Sequence, residues 1–314
     1  MQRPTFVHFA VLILLAAIWG GSFLAMKVAV ETVPPLTVTA GRLLLGAAVV
    51  SGFVRWRGLR LPGTANRDGL VLWRRAALIG ALNTVIPFTA VTWGEQFIAS
   101  GVAAILMGTI PLFAVILAHI FTPDDKATVG KALGVMTGLS GLVLLVGTSA
   151  LAGFHIGLRG QMAVIVAALS HAASGVLVYR TSGRLRAEVL TAAVLLSGAA
   201  LAVPLALLAE QPWTVRPSAD AALAIGYLGL AVTALAFALR IRLIASVGYT
   251  FVAQSVYLIA PFGALWGWLI MDERLTASAV GALGLILLGI ALSRLGDFRV
   301  LRRSWPRLRR DRQG

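Results

Sequence analysis

Apolar residues in this chain occur in long runs, separated by short segments that carry charge or Pro and Gly. About 20 helical residues cross a hydrocarbon core of about 30 Å. The pattern predicts ten such spans, at 7–27, 35–54, 76–93, 98–121, 129–147, 160–179, 188–208, 221–239, 248–271 and 277–294. We therefore expect an all-α integral membrane protein with ten transmembrane helices.

The second group of five predicted spans is similar to the first. The matching pairs are Val102 with Val252 and Pro111 with Pro261, 150 residues apart, and Asp124 with Asp272 and Gly141 with Gly289, 148 residues apart. Because five is odd, the second copy enters the bilayer in the opposite direction, which gives an inverted repeat typical of secondary transporters. The predicted units are five-helix repeats at 7–147 and 158–294, followed by a basic cytoplasmic tail at 295–314.

Charge is scarce but strongly asymmetric along the chain. Hydrophobic residues make up 59% of the 314 positions and charged residues 12%, so an ordinary soluble domain is excluded. With both termini cytoplasmic, 22 of the 27 Lys and Arg residues lie in inner segments and three in outer ones. This asymmetry follows the positive-inside rule and predicts contact with anionic lipid headgroups at the cytoplasmic side. The net charge of +15 is dispersed between spans, so we expect no nucleic-acid partner.

Several short motifs occur in a recognisable order within the two halves. The first half opens with Trp19-Gly20-Gly21-Ser22-Phe23, followed by Pro34-Pro35 and Arg42. The second half ends with Pro261, Asp272-Glu273-Arg274-Leu275-Thr276, Gly281 and Gly289. This order resembles the EamA-type repeat of the drug/metabolite transporter superfamily. The sequence departs from that pattern at Asp124-Asp125, where the family often has Glu, and at Ser170-His171, where it often has Ser-Trp.

The resemblance implies a ten-helix bundle whose central cavity is built by both repeats. Members export amino acids, other metabolites or toxic compounds, so we expect a secondary transporter of a small molecule, working by alternating access in a bacterial inner membrane. The alternative is a non-transporting membrane enzyme or assembly factor for lipid-linked intermediates. No phosphate-loop motif or metal-binding motif is present, and we expect neither an enzyme nor a cofactor.

Candidate substrate-binding residues are polar or irregular positions at mid-membrane depth, where such groups are tolerated mainly beside protein or a water-filled cavity. Gln254, Tyr257 and Pro261 share one face of the ninth span, at i, i+3 and i+7. The alternative for both polar side chains is a hydrogen bond to a neighbouring helix. The candidates for substrate binding are Trp19, Asn83, Met107, His171, Phe237, Gln254 and Tyr257.

A second set of candidates has structural or gating roles: Arg42, Pro87, Pro111, Arg240 and Pro261. Arg42 lies seven residues beyond Pro35, about 10 Å into its helix. Its alternative role is to pair with backbone carbonyls, Glu31 or Glu95. Arg240 shares a face with Phe237 and could close the cavity floor, or it could only follow the positive-inside rule.

Three other features each have more than one interpretation. His171 suits proton coupling or packing, since its ordinary pKa is near 6.5. Trp19 suits the cavity, packing or an interfacial anchor. The stripe of Gly130, Gly134 and Gly138 suits close packing within the monomer or a homodimer face. Because all twelve Asp and Glu residues fall in loops or at span ends, we expect neutral, zwitterionic or anionic solutes to be preferred over lipophilic cations.

Overall fold

Helices are the regular structure throughout the part of the chain that the computed structural model describes, which is 4–94, 96–98, 103, 106–122, 126–146, 157–253, 255–271, 281–282, 284–289 and 291–292. The helices are α1 (Phe6–Val30), α2 (Pro35–Trp56), α3 (Arg67–Gly80), α4 (Ile86–Gly94), α5 (Ile110–Phe121), α6 (Val129–Val146), α7 (Leu158–Ser182), α8 (Ala187–Ala209), α9 (Ala219–Tyr227), α10 (Ala236–Val247), α11 (Tyr249–Ala253) and α12 (Ser255–Met271).

Two of the spans are composite. A π-helical segment at Ala81–Val85 joins α3 to α4, and another at Leu228–Leu235 joins α9 to α10. The two segments begin 147 residues apart and end 150 residues apart, close to the offset of the sequence repeat. A π-helical turn widens the helix locally and is frequent at functional sites.

Six helical stretches of the described chain are long and apolar enough to cross a membrane: Phe6–Val30, Pro35–Trp56, Arg67–Gly94, Leu158–Thr181, Ala187–Ala209 and Ala219–Val247. They coincide with the first, second, third, sixth, seventh and eighth predicted spans. Two shorter apolar helices, Ile110–Phe121 and Val129–Leu144, lie within the fourth and fifth. The described helices show an all-α membrane protein, and the count of ten spans stays a prediction.

Two helices extend well beyond the spans that hydropathy predicts. The helix of the third predicted span, α3, begins at Arg67 rather than residue 76. The Asn66 side chain caps it by accepting a hydrogen bond from the Gly69 N–H at 2.9 Å. The eighth predicted span continues as α10 to Val247 rather than ending at 239, so Arg240 and Arg242 lie within a helix and not in a loop. Hydropathy marks the part of a helix that is apolar, whereas charged residues can continue the same helix beyond it.

Small residues let the helices approach closely. α2 packs against α8, and α1 packs against α12. A Cβ added at Gly20 of α1 would lie 2.8 Å from the Phe262 Cβ of α12. One added at Gly289 would lie 2.6 Å from both the Gly134 carbonyl oxygen and the Gly138 nitrogen. Gly134 and Gly138 therefore serve packing within one chain, and a homodimer stays a prediction.

The start of α2 is held by a carboxylate from the segment that follows α8. The Glu210 side chain accepts hydrogen bonds from the Leu36 N–H at 2.9 Å and the Thr37 N–H at 2.7 Å. These two donors belong to the first turn of a helix and lack partners within it. The contact anchors the helix that carries Arg42.

Candidate functional site

A cavity of about 110 Å³ lies inside the bundle, between helices from both halves of the chain. Its wall is mostly apolar, with Arg42 and His171 as its titratable groups in the described chain. The lining residues are Trp19, Ser22, Met26, Arg42, Pro87, Phe88, Val91, Met107, Ile110, Leu142, His171, Val232, Phe237, Val256 and Ile259. A space of this size can hold several waters or a small solute.

Arg42 brings a positive charge to the cavity wall. Its side chain is 2% exposed. Its Nε donates to the Thr233 Oγ1 at 3.1 Å, and its guanidinium carbon lies 3.7 Å from the centre of the Phe88 ring. The sequence suggested Glu31 or Glu95 as a partner; Glu95 lies outside the described residues, and Arg42 forms no ion pair within them. A hydroxyl and an aromatic face hold this cation instead.

Arg240 is the second arginine buried in the bundle. Its side chain is 3% exposed, and its Nη1 donates to the Asn83 Oδ1 at 3.1 Å. The same oxygen accepts a hydrogen bond from the Ser174 Oγ at 2.9 Å. The Arg240 guanidinium carbon also lies 5.9 Å from the centre of the Tyr249 ring. Two hydrogen bonds to one oxygen orient the Asn83 side chain.

The two π-helical segments each provide the acceptor for one buried arginine. Thr233, in the segment Leu228–Leu235, accepts from Arg42. Asn83, in the segment Ala81–Val85, accepts from Arg240. Each bond joins the two halves of the chain, so the polar interior depends on how the halves pack together.

Two buried polar atoms near this cluster lack a hydrogen-bond partner in the described chain. They are the Asn83 Nδ2 and the His171 Nδ1. A buried polar group without a partner is unusual in a native structure. Both atoms belong to residues that the sequence predicts for substrate binding.

Six of the predicted site residues lie on the cavity wall: Trp19, Arg42, Pro87, Met107, His171 and Phe237. Asn83 and Arg240 are buried beside each other in the bundle. Pro111 is the second residue of α5, next to the lining residue Ile110. Pro261 lies inside α12, two residues after the lining residue Ile259. Gln254 lies outside the described residues, and the functional roles of all these side chains stay predictions.

Tyr257 makes a contact between helices. Its side chain is 1% exposed, and its hydroxyl donates to the Val135 carbonyl of α6 at 3.0 Å. A Cβ at Gly138 would lie 2.8 Å from its ring. This hydrogen bond is the packing alternative that the sequence left open for Tyr257. Its place in a transport pathway stays a prediction.

Several lining residues were not singled out from the sequence. Met26 follows Trp19 by seven positions and therefore shares its helical face, a signal that periodicity contains. Phe88 follows the candidate Pro87 directly and meets Arg42 by its ring face. Leu142, Val232 and Ile259 carry no such signal, because an apolar residue at a cavity and one facing lipid look alike in a sequence.

Comparison with known families covers most of the chain. The sequence model described as "EamA-like transporter family" matches residues 8–147 and again residues 158–295. The chain belongs to the EamA-like transporter family. Both matched regions contribute to the cavity, with Trp19 and Met107 from the first and His171 and Phe237 from the second.

Relatives of this EamA-like transporter carry transporter names. It is 28% identical over 92% of its length, and 91% of the other chain, to the "uncharacterized inner membrane transporter YedA" of Escherichia coli K12. It is 25% identical over 88% of its length, and 92% of the other chain, to the "uncharacterized transporter YoaV" of Bacillus subtilis. A protein of Chlamydia trachomatis named "S-adenosylmethionine/S-adenosylhomocysteine transporter" is 27% identical over 90% of this chain and 88% of its own.

A solved crystal structure has the same fold as this EamA-like transporter. The two superpose with a TM-score of 0.74 over 93% of this chain and 97% of the other, at 22% identity. At that identity the likeness describes the fold alone. The family match, the names of the relatives and the long apolar helices together identify the chain as a multi-pass membrane transporter.

Proposed function

We propose that the chain is a secondary transporter, not an enzyme, and that it exports a small metabolite, amino acid or drug-like solute through the central cavity by alternating access. The observation that carries this proposal is a cavity walled by helices from both family matches. A binding site between two halves can open to either side when one half moves against the other. The transporter names of the relatives support the same function.

The proposed architecture is ten transmembrane helices in two inverted five-helix repeats, in a bacterial inner membrane, with both termini cytoplasmic. The matching π-helical segments in the third and eighth spans support the repeat. The excess of Lys and Arg in the inner segments supports the orientation.

The expected solutes are neutral, zwitterionic or anionic rather than lipophilic cations. Arg42 places a positive charge on the cavity wall, and the described lining residues include no carboxylate. A lipophilic cation would meet a like charge in a medium that screens it poorly. Resistance to ethidium conferred by expression, together with direct ethidium efflux from proteoliposomes, would contradict this preference.

The role of the cavity can be tested with single cysteines, because the native chain contains none. Met107→Cys and Phe237→Cys should react with a small water-soluble thiol reagent, since both side chains line the cavity. Leu15→Cys is the matched control, because Leu15 is buried in the same apolar core as Phe237 but is not among the residues that line the cavity. Equal labelling of all three variants would contradict the assignment of this cavity as the pathway.

Transport itself is tested by uptake and counterflow of a metabolite library in proteoliposomes. S-Adenosylmethionine belongs in the library, because it appears in the name of a relative. Labelling of Met107→Cys should block the flux of any solute that is carried, and labelling should be slower when that solute is present. The absence of flux for every member of the library would remove the support for transport.

A further inference from the structure

The guanidinium of Arg42 has more donors than the protein around it uses. It carries five N–H groups. One, on Nε, meets the Thr233 hydroxyl at 3.1 Å. The acceptor for Nη1 is the Met26 sulfur at 4.0 Å, and a thioether is a weak acceptor. The remaining N–H groups have no hydrogen-bond acceptor within the described chain.

Two protein contacts fix the orientation of this guanidinium. The Thr233 hydroxyl holds one edge, and the Phe88 ring covers one face at 3.7 Å. A side chain locked by its neighbours binds a ligand with less loss of conformational freedom. The free edge of Arg42 is therefore a preformed fork beside the cavity.

A buried charge is costly without a partner of opposite sign, so a buried arginine whose described partners are all neutral points to a ligand of opposite sign. Two buried arginines lie in this interior, and each is held by a neutral side chain: Arg42 by Thr233 and Arg240 by Asn83. The planar fork of an arginine fits the two oxygens of a carboxylate. A carboxylate on Arg42 would use its free donors and neutralise its charge.

The rest of the cavity wall suits an apolar body. Trp19, Phe88 and Phe237 present aromatic rings, and Met26 and Met107 present flexible thioethers that adapt to different shapes. The described wall contains no carboxylate for an ammonium group. An amino acid would therefore bury its ammonium without an ionic partner, whereas an acid lacking that group would not.

We propose that the cavity binds apolar monocarboxylic acids without an amino group, with the carboxylate on Arg42 and the apolar part against the aromatic wall. This inference rests on the proposed role of the cavity as the solute site. His171 lines the same cavity, and its Nδ1 has no hydrogen-bond partner in the described chain. The wall thus offers a ring nitrogen as a second polar group in addition to the arginine fork.

The test measures the binding of four related probes to the purified full chain in detergent. The probes are 3-phenylpropanoate, its amide, phenylalanine and 3-phenylpropylamine. We expect 3-phenylpropanoate to bind about tenfold more tightly than the amide or phenylalanine. The amide lacks the charge that Arg42 would bind, and phenylalanine adds an ammonium group without an ionic partner. The amine should bind most weakly. Equal or tighter binding of the amide or the amine would overturn the proposal.

Variants locate the site. Arg42→Gln should lose the preference for the acid over the amide, and Arg42→Lys should keep only part of it, because an ammonium has no planar fork. Arg242→Gln is the control. It also removes one positive charge, but Arg242 lies on α10, is 54% exposed and pairs with Glu188. If Arg42→Gln does not fold, the four probes on the native protein still decide the result. An unchanged preference in a folded Arg42→Gln variant would overturn the proposal.

Flux measurements separate this inference from the proposed function. If proteoliposomes carry other solutes and the four probes show no acid preference, transport stands and the acid site is wrong. If 3-phenylpropanoate binds through Arg42 but no solute is carried, the site stands and transport is wrong.

Discussion

At the scale of single residues, the interior of this transporter holds cations with neutral oxygen atoms. Arg42 uses the Thr233 hydroxyl, and Arg240 uses the Asn83 amide oxygen. A neutral acceptor keeps the charge of the guanidinium available to a third group, whereas a carboxylate would cancel it. The site therefore keeps a net positive charge in the described region.

The Arg240–Asn83 hydrogen bond yields a stability prediction. Asn83→Ala should lower the free energy of unfolding by about 3 kcal/mol, because a buried charge loses its acceptor. Thermal unfolding in detergent measures the change. Asn66→Ala is the matched control: Asn66 caps α3 through the Gly69 N–H, and its loss should cost about 1 kcal/mol. A smaller loss for Asn83→Ala than for Asn66→Ala would contradict the importance of this bond.

At the scale of helices, the bundle is joined through glycines. Gly289 meets the backbone of α6 at Gly134 and Gly138, and Gly20 of α1 meets Phe262 of α12. Helices in a membrane gain little from apolar burial, so close van der Waals packing and interhelical hydrogen bonds hold them together. These glycine contacts are therefore places where close packing holds two helices together.

The glycine contact of α6 yields a second stability prediction. Gly289→Ala should lower the free energy of unfolding by about 1–3 kcal/mol, because the new Cβ would lie 2.6 Å from backbone atoms of Gly134 and Gly138. Gly284→Ala is the control, since no atom of the described chain lies within 4 Å of its added Cβ and alanine favours a helix. Unfolding in detergent should show a loss for the first variant only. A loss of similar size in both would indicate that packing is not the cause.

At the scale of the whole molecule, the distribution of Lys and Arg between the loops predicts the orientation of the chain in the membrane. Glu210 and the loop that follows it should face outward, and the basic tail should face the cytoplasm. Reporter fusions after Gly314 and within 211–219 should therefore give opposite readings. A third fusion near Arg184, in the turn between α7 and α8, should read as the tail does. Periplasmic activity of the fusion at Gly314 would overturn the topology and the inverted repeat.

The sequence by itself determined the helical class, the family and the position of the six long apolar helices. Each of these depends on a property local to one segment, namely enough apolar length to cross the bilayer, or on short motifs in order. Helical periodicity also indicated Trp19 and Phe237, the sequence repeat indicated Met107, and the mid-span position of an ionisable group indicated His171. A polar group at mid-membrane depth is tolerated mainly beside protein or a water-filled cavity, so such a position is a candidate for the cavity wall.

Only the tertiary structure decided which side chains meet. Arg42 and Thr233 are 191 positions apart, and Arg240 and Asn83 are 157 positions apart. Their contacts depend on the depth and rotation of helices relative to one another, which a one-dimensional pattern does not contain. The same holds for Tyr257, whose hydroxyl reaches Val135 on a helix 122 positions earlier in the chain. The two π-helical segments also appear only in the fold, because the apolar pattern of the sequence does not distinguish a π-helical turn from an α-helical one.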